Sequence, residues 1–232
     1  MSSRKIAAMS TTLRAAKRRP RATVRPAAIP PLENGDRLTS VEFLRRYEAL
    51  PHVKKAQLIE GIVRLSGPVR ADAHGKPDSF LQTWLGTFAC ETPGVEAYTN
   101  TTLVLAPDNT PQPDAMLCSA PQAGGRVWLN GDGYLCGAPE LVCEVAASSA
   151  SIDLHAKFRA YRRNGIAEYL VWLVSEKRIH WWALEAQEYV EIKEHAGVLV
   201  SRVFPRLALD TRALLRGDGA KVLRTLRKRL AR

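Results

Sequence analysis

Two acids in this 232-residue chain stand where a strand should be apolar: Asp114 in QPDAMLC and Glu144 in PELVCEVA. A carboxylate inside a strand is costly to bury unless it is paired or binds a cation. Glu144 is therefore either a satisfied structural acid, paired for example with an arginine, or a metal ligand or catalytic acid. Asp114 poses the same problem at the start of another short strand, and the two would meet if their strands are neighbours. Converging carboxylates with no His or Cys nearby favour a hard ion such as magnesium. Asp153, Lys157 and Tyr161 follow Glu144 at i, i+4, i+8 spacing, along one stripe of a helix. Spacing alone favours an ordinary exposed ion pair. Position argues otherwise, because this helix leaves directly from the Glu144 strand. A lysine one turn into it can reach back over the carboxylates. Such a cation would hold or activate a water and neutralise a developing phosphate charge.

The elements that must position these groups are legible in outline. Thr39 to Glu42 spells T-x-x-E, a capping box, and Val41, Phe43, Leu44, Tyr47 and Leu50 follow at helical spacing. QLIEGIVRL (57–65) reads as one apolar strand with Gly61 in its middle. A helix is expected over Asp78 to Glu91, then strands over Val95 to Leu105 and Pro113 to Cys118. Residues 120–138, with five glycines, read as a loop. Leu141 to Ala146 is a strand, Ser151 to Asn164 a helix stopped by Gly165, and EYLVWLV (168–174) a strand again. The continuous apolar runs of this strand–helix–strand unit suit parallel strands buried on both faces, where sites form at carboxyl ends. Strands over 179–185, 188–194 and 198–204 and two short helices complete the chain. The fold class is α/β or α+β, a mixed sheet flanked by helices.

The formal net charge of +11 is concentrated at the ends. Residues 1–32 hold eight Lys or Arg and no acid, and residues 211–232 hold eight against Asp218 alone, leaving 18 basic and 22 acidic residues in 33–210. The body is thus slightly acidic, and the basic tails suit a polyanion such as nucleic acid or are simply solvated ends. The Arg-rich, acid-free N-terminus also has the composition of a transit peptide. Cys90, Cys118, Cys136 and Cys143 form no C-x-x-C pair and read as reduced, mostly buried thiols of a reducing compartment, here the cytoplasm. No apolar run reaches the length of a membrane span. His52, His155, His180 and His195 show no metal-ligand spacing. Trp172, Trp181 and Trp182 suit a sheet core or dimer contact better than base stacking.

The segments QPDAML, GAPELVCEVAASSASIDLHAKFRAYRRNGIAEYLVW and VFPRLALDTRALL resemble the Uma family of restriction endonucleases, within the PD-(D/E)XK nuclease superfamily. HGKPDSFLQTWLGTFACETPGVEAYTNTTLVL is similar to that family's first long helix and following strand. The resemblance spans about residues 37–217. It implies a restriction-endonuclease-like core between a basic tail (1–36) and a basic C-terminal helix (218–232). It implies a magnesium-dependent phosphodiesterase site acting on DNA, with Asp114 and Glu144 as metal ligands. Residue 146, where a lysine would follow Glu144 by two, is Ala146; Lys157 matches the family's lysine on the next helix, with Asp153 and Tyr161 beside it. His74 matches a histidine before the long helix, where it would orient a phosphate or act in acid–base chemistry, or be an ordinary surface residue.

The chain also departs from the pattern. Where the family reads Y-E-L-I-D-G-E, this sequence reads AQLIEGI, so Gln57 replaces the first Glu and Ile62 the second. Gln57 offers magnesium a carbonyl oxygen without the charge. Glu60 is the remaining acid, but an odd spacing from Gln57 points it to the opposite strand face. Ser175 replaces another acid. Two functions follow: a magnesium-dependent DNA endonuclease, or a catalytically impaired relative that binds nucleic acid or a partner through the same fold and the basic tails. A homodimer is compatible with either.

Overall fold

In β8 (Leu141–Ala146) and β9 (Glu168–Leu173) every residue is buried. They pair in parallel, Glu144 beside Val171, and are joined by the helical crossover between them. Residues 28–231 are described by the computed structural model. Most of the basic N-terminal tail, residues 1–27, lies outside the described residues. The two strands anchor a six-stranded sheet of order β11-β10-β9-β8-β5-β3. Here β3 is Val95–Thr99, β5 Ala115–Ser119, β10 Arg178–Glu185 and β11 Glu188–Glu191. All pairings except β8–β9 are antiparallel. Strand alternation separates two cores. Leu141, Cys143, Val145, Leu170 and Trp172 pack on one face against α2 (Lys76–Cys90), α4 (Thr211–Leu215) and α5 (Gly219–Leu230). Val142, Ala146, Val171 and Leu173 pack on the other against Tyr161 of α3 (Phe158–Arg163). A helix layer on each face is why these strands are apolar apart from Glu144 and Glu168.

The N-terminal part differs from the expectation. QLIEGIVRL is not one strand but a tight hairpin, β1 (Ala56–Ile59) and β2 (Ile62–Leu65), paired Ile59 to Ile62. Its two central residues, Glu60 (φ 52°) and Gly61 (φ 72°), are both left-handed, as a two-residue turn requires. Leu58 and Val63 then pack with Phe43 of α1 (Ser40–Glu48), which Thr39 caps. Leu32 joins this cluster, and the Gly35 amide donates to the Val63 carbonyl at 2.9 Å, so the fold begins before residue 37.

The strand expected over 95–105 breaks at Asn100 (φ 47°) into β3 and β4 (Leu103–Val104). The glycine-rich loop holds a short hairpin, β6 (Val127–Leu129) and β7 (Leu135–Gly137), with β4 parallel to β7. Trp128 and Leu129 are exposed there, which removes the alternation that marks a strand. The pair β12 (Val198–Val200) and β13 (Ala208–Asp210) leads into α4. The basic C-terminal helix is part of the fold: Asp218 caps α5, and Val222 and Leu226 are buried against the α2 side. Trp172 and Trp181 are core residues, and the four cysteines are free, with Cys118, Cys136 and Cys143 buried.

Candidate active site

The β5–β8 register sets Ala115 opposite Cys143. One residue further out, Asp114 falls opposite Glu144, both on the α3 face. Asp114 Oδ2 accepts from the Val145 amide at 2.8 Å, which pins the carboxylate across the two strands. Glu144 Oε1 accepts from Tyr161 Oη at 2.8 Å and lies 2.8 Å from Lys157 Nζ. Lys157 Nζ is also 3.0 Å from Asp153 Oδ1. The spacing had favoured an exposed pair. Instead Asp153, Lys157 and Glu144 are 1%, 3% and 2% exposed. The reason is the crossover: its first part, Ile152–Lys157, winds as a π-helix and lays the charged stripe against β8, with Phe158 turned toward Trp182 and Tyr189. Asp153 also accepts from Ser149 Oγ, and its carbonyl accepts from Tyr169 Oη at 3.0 Å.

A second group of side chains closes the Asp114 side. Lys55 Nζ lies 2.7 Å from Asp114 Oδ1 and 3.2 Å from Asn100 Oδ1. His74 Nε2 lies 3.3 Å from Asp114 Oδ2. His74 sits in the helical turn Ala71–Gly75 that leads into α2. One turn on is Asp78, whose Oδ2 accepts from Gln82 Nε2 at 2.7 Å and whose buried Oδ1 has no hydrogen-bond partner among the described residues. Sequence reasoning missed Lys55 and Asp78. The available signals were period-two spacing of Lys55 from Gln57 and i, i+4 spacing of Asp78 from His74.

Electrostatics divides the two strand acids. Burial alone would push the Asp114 carboxyl up. The His74 hydrogen bond and the Lys55 and Lys157 ammoniums outweigh it and hold Asp114 well below the usual carboxylate range. Burial does prevail at Glu144, raising it to about 7 against the pull of Lys157, with Asp114 and Asp153 adding repulsion. The three acids around Lys157 raise its own pKa despite burial. The hydrogen bond to Asp114 raises that of His74. Asp78 is raised by burial first and by the Asp114 charge second. Glu168 is a useful contrast. It is equally buried, yet two backbone amides, Ser201 Oγ and Trp181 Nε1 satisfy both its oxygens, as a purely structural acid requires.

Two residues named from the sequence lie outside this cluster or only border it. Glu60, in the hairpin turn, pairs with Arg159 and Arg163 on the outer side of α3. The left-handed turn sends its side chain away from the strand face, so it is not an acid of the site. Gln57 is buried, but its Oε1 accepts from the Gln112 amide at 3.1 Å, bracing the segment before Asp114.

Magnesium keeps several waters and is held by one or two carboxylates plus substrate phosphates. Asp114 and Glu144 fit that donor set. Glu144 Oε2 carries no hydrogen bond among the described residues, and the Lys55 ammonium rests on Asp114 Oδ1. Among the described residues no cluster of three or more His, Cys, Asp or Glu is arranged to hold a metal unaided, so water and phosphate oxygens would complete the shell.

A crystal structure described as "a putative nuclease belonging to DUF820" from Anabaena variabilis ATCC 29413 superposes with a TM-score of 0.59 at 15% identity. The match covers 75% of this chain and 97% of that one, and it establishes a shared fold. The model of the Uma2 family, "Putative restriction endonuclease", matches residues 41–212. The chain belongs to the Uma2 family. The comparison with curated proteins returned no match. Among the described residues no helix is long and apolar enough to cross a membrane.

Proposed function

We propose that this protein is a magnesium-dependent endonuclease that hydrolyses phosphodiester bonds of DNA, with Asp114 and Glu144 as the metal-holding acids. The observation that carries the reading is the facing of these two acids on neighbouring strands, with Lys157 buried against one and Lys55 against the other. When bound, the ion supplies a polarised phosphoryl oxygen and a more acidic water. The chain's own groups do the rest. The Val145 amide and His74 fix the Asp114 carboxylate and keep it ionised. Lys157 and Tyr161 fix Glu144 through one oxygen. Lys157 is enclosed, so it serves as a positioning residue for Glu144 and Asp153. His74, at the rim with its side chain 23% exposed, is the group able to give a proton to a leaving oxygen.

The test is cleavage of plasmid DNA by the purified protein with magnesium and with chelator, beside Glu144→Ala. Magnesium-dependent nicking that Glu144→Ala abolishes supports the reading; equal nicking by both proteins refutes it. A second reading, an impaired nuclease that binds nucleic acid or a partner, is favoured by the neutral Gln57 at the position of a family acid. The basic α5 helix packs on the sheet face opposite α3, so its cations would serve binding away from the acids.

A further inference from the structure

We propose that Lys55 is a resident place-holding cation, which occupies the Asp114 oxygen that a divalent ion takes and leaves it when the ion binds. The inference rests on the metal-site reading above and extends it to how the site survives without metal. Three acids, Asp114, Glu144 and Asp153, are buried at 2%, 2% and 1% exposure. Acids so close cannot all stay ionised in a dry interior without cations. Lys157 serves Glu144 and Asp153 at 2.8 and 3.0 Å and is enclosed by them. Asp114 is left to others. Its Oδ2 is occupied by the Val145 amide and His74, so Oδ1 is the oxygen open to a further cation, and Lys55 sits on it at 2.7 Å.

Lys55 differs from Lys157 in how it is held. Its side chain is 22% exposed against 4%, and it lies in the segment before β1 rather than within a helix. Its other contact is the exposed Asn100 amide oxygen. A four-carbon stem rooted at the rim lets the ammonium move from carboxylate to water with little rearrangement. A permanent structural ion pair would instead be enclosed, as Lys157 is. Gln57, two residues on, is neutral and engaged with the Gln112 amide, so neither an acid nor a free carbonyl from β1 offsets the competition.

The test is binding of Mg²⁺ and Mn²⁺, by titration calorimetry and thermal shift, to the full chain, Lys55→Met and Lys55→Gln. The expected result is at least tenfold tighter binding to Lys55→Met, with a lower metal-free melting temperature and a larger rise on adding metal. Lys55→Gln, which keeps a donor to Asp114, falls between. If a variant is unfolded without metal, folding restored by either ion supports the proposal and failure of both ions to restore it overturns it. Equal or weaker metal binding by the variants overturns the place-holder while leaving the metal-site reading intact. Tight binding by Lys55→Met with none by the parent overturns the place-holder, because Lys55 then never yields to the ion, and refutes magnesium dependence of the parent. No binding by any of the three overturns both.

Discussion

Replacing Lys157 by methionine isolates the energetics on which the site depends. The variant keeps the length of the side chain and leaves Glu144 and Asp153 buried with the cation they share removed. Breaking one partner out of a buried ion pair costs about 3–5 kcal/mol. For a chain of this size each kcal/mol moves the melting temperature by roughly 2–4 °C, so a fall of about 6–20 °C is expected. The pH dependence sharpens the test. Burial raises the Glu144 carboxyl from 4.5 to about 7 in the folded parent. Between those values the folded chain holds a proton that the unfolded chain has released. Parental stability therefore falls as pH rises through this window, by about 1.4 kcal/mol per unit, and levels off above it. Lys157 is the main group opposing that rise, so without it the window extends above pH 7. The gap between parent and variant should widen from pH 7 to 8.5. Urea denaturation at pH 5.5, 7 and 8.5 measures it. Adding Glu144→Gln to Lys157→Met should recover part of the loss and flatten the pH dependence. A cost below about 1 kcal/mol that is the same at every pH would refute the placement of Lys157 between the two acids.

Three further outcomes are expected. His74 has a raised pKa through its bond to Asp114, so its contribution is full below pH 6.5 and lost as pH rises through the higher folded value. Stability curves of parent and His74→Asn should therefore converge as pH rises above 6.5. Asp78→Asn removes a carboxylate whose pKa is raised by burial and by Asp114; it should stabilise the protein at pH 8 and not at pH 3, read by thermal melting. Gln57→Glu should lower the metal-free melting temperature and enlarge the rise on adding magnesium; an unchanged metal response would put position 57 outside the metal's reach.

Periodicity and chemistry along the chain determined a good deal. The continuous apolar runs at 141–146 and 168–173 marked strands covered on both faces. A charge within such a run marked Glu144 and Asp114 as groups needing partners, because burial makes an unpaired carboxylate too costly to leave unexplained. The i, i+4, i+8 spacing named Asp153, Lys157 and Tyr161, but it described the stripe and not its direction. Only the docking of the π-helical crossover onto β8 decided that the stripe faces inward. The hairpin at Glu60–Gly61 was hidden because apolar residues continue on both sides of the turn, although only β1 is buried throughout. That reversal sends Glu60 outward, while the antiparallel bridge of Leu58 to Thr110 brings Lys55 to Asp114, across 59 positions of sequence. Read along the chain, Lys55 and His74 are ordinary polar residues of turns and Asp78 is the polar start of a helix. Their meeting at one carboxylate depends on which strands pair and where α2 begins, and those are decided by long-range packing rather than by local pattern.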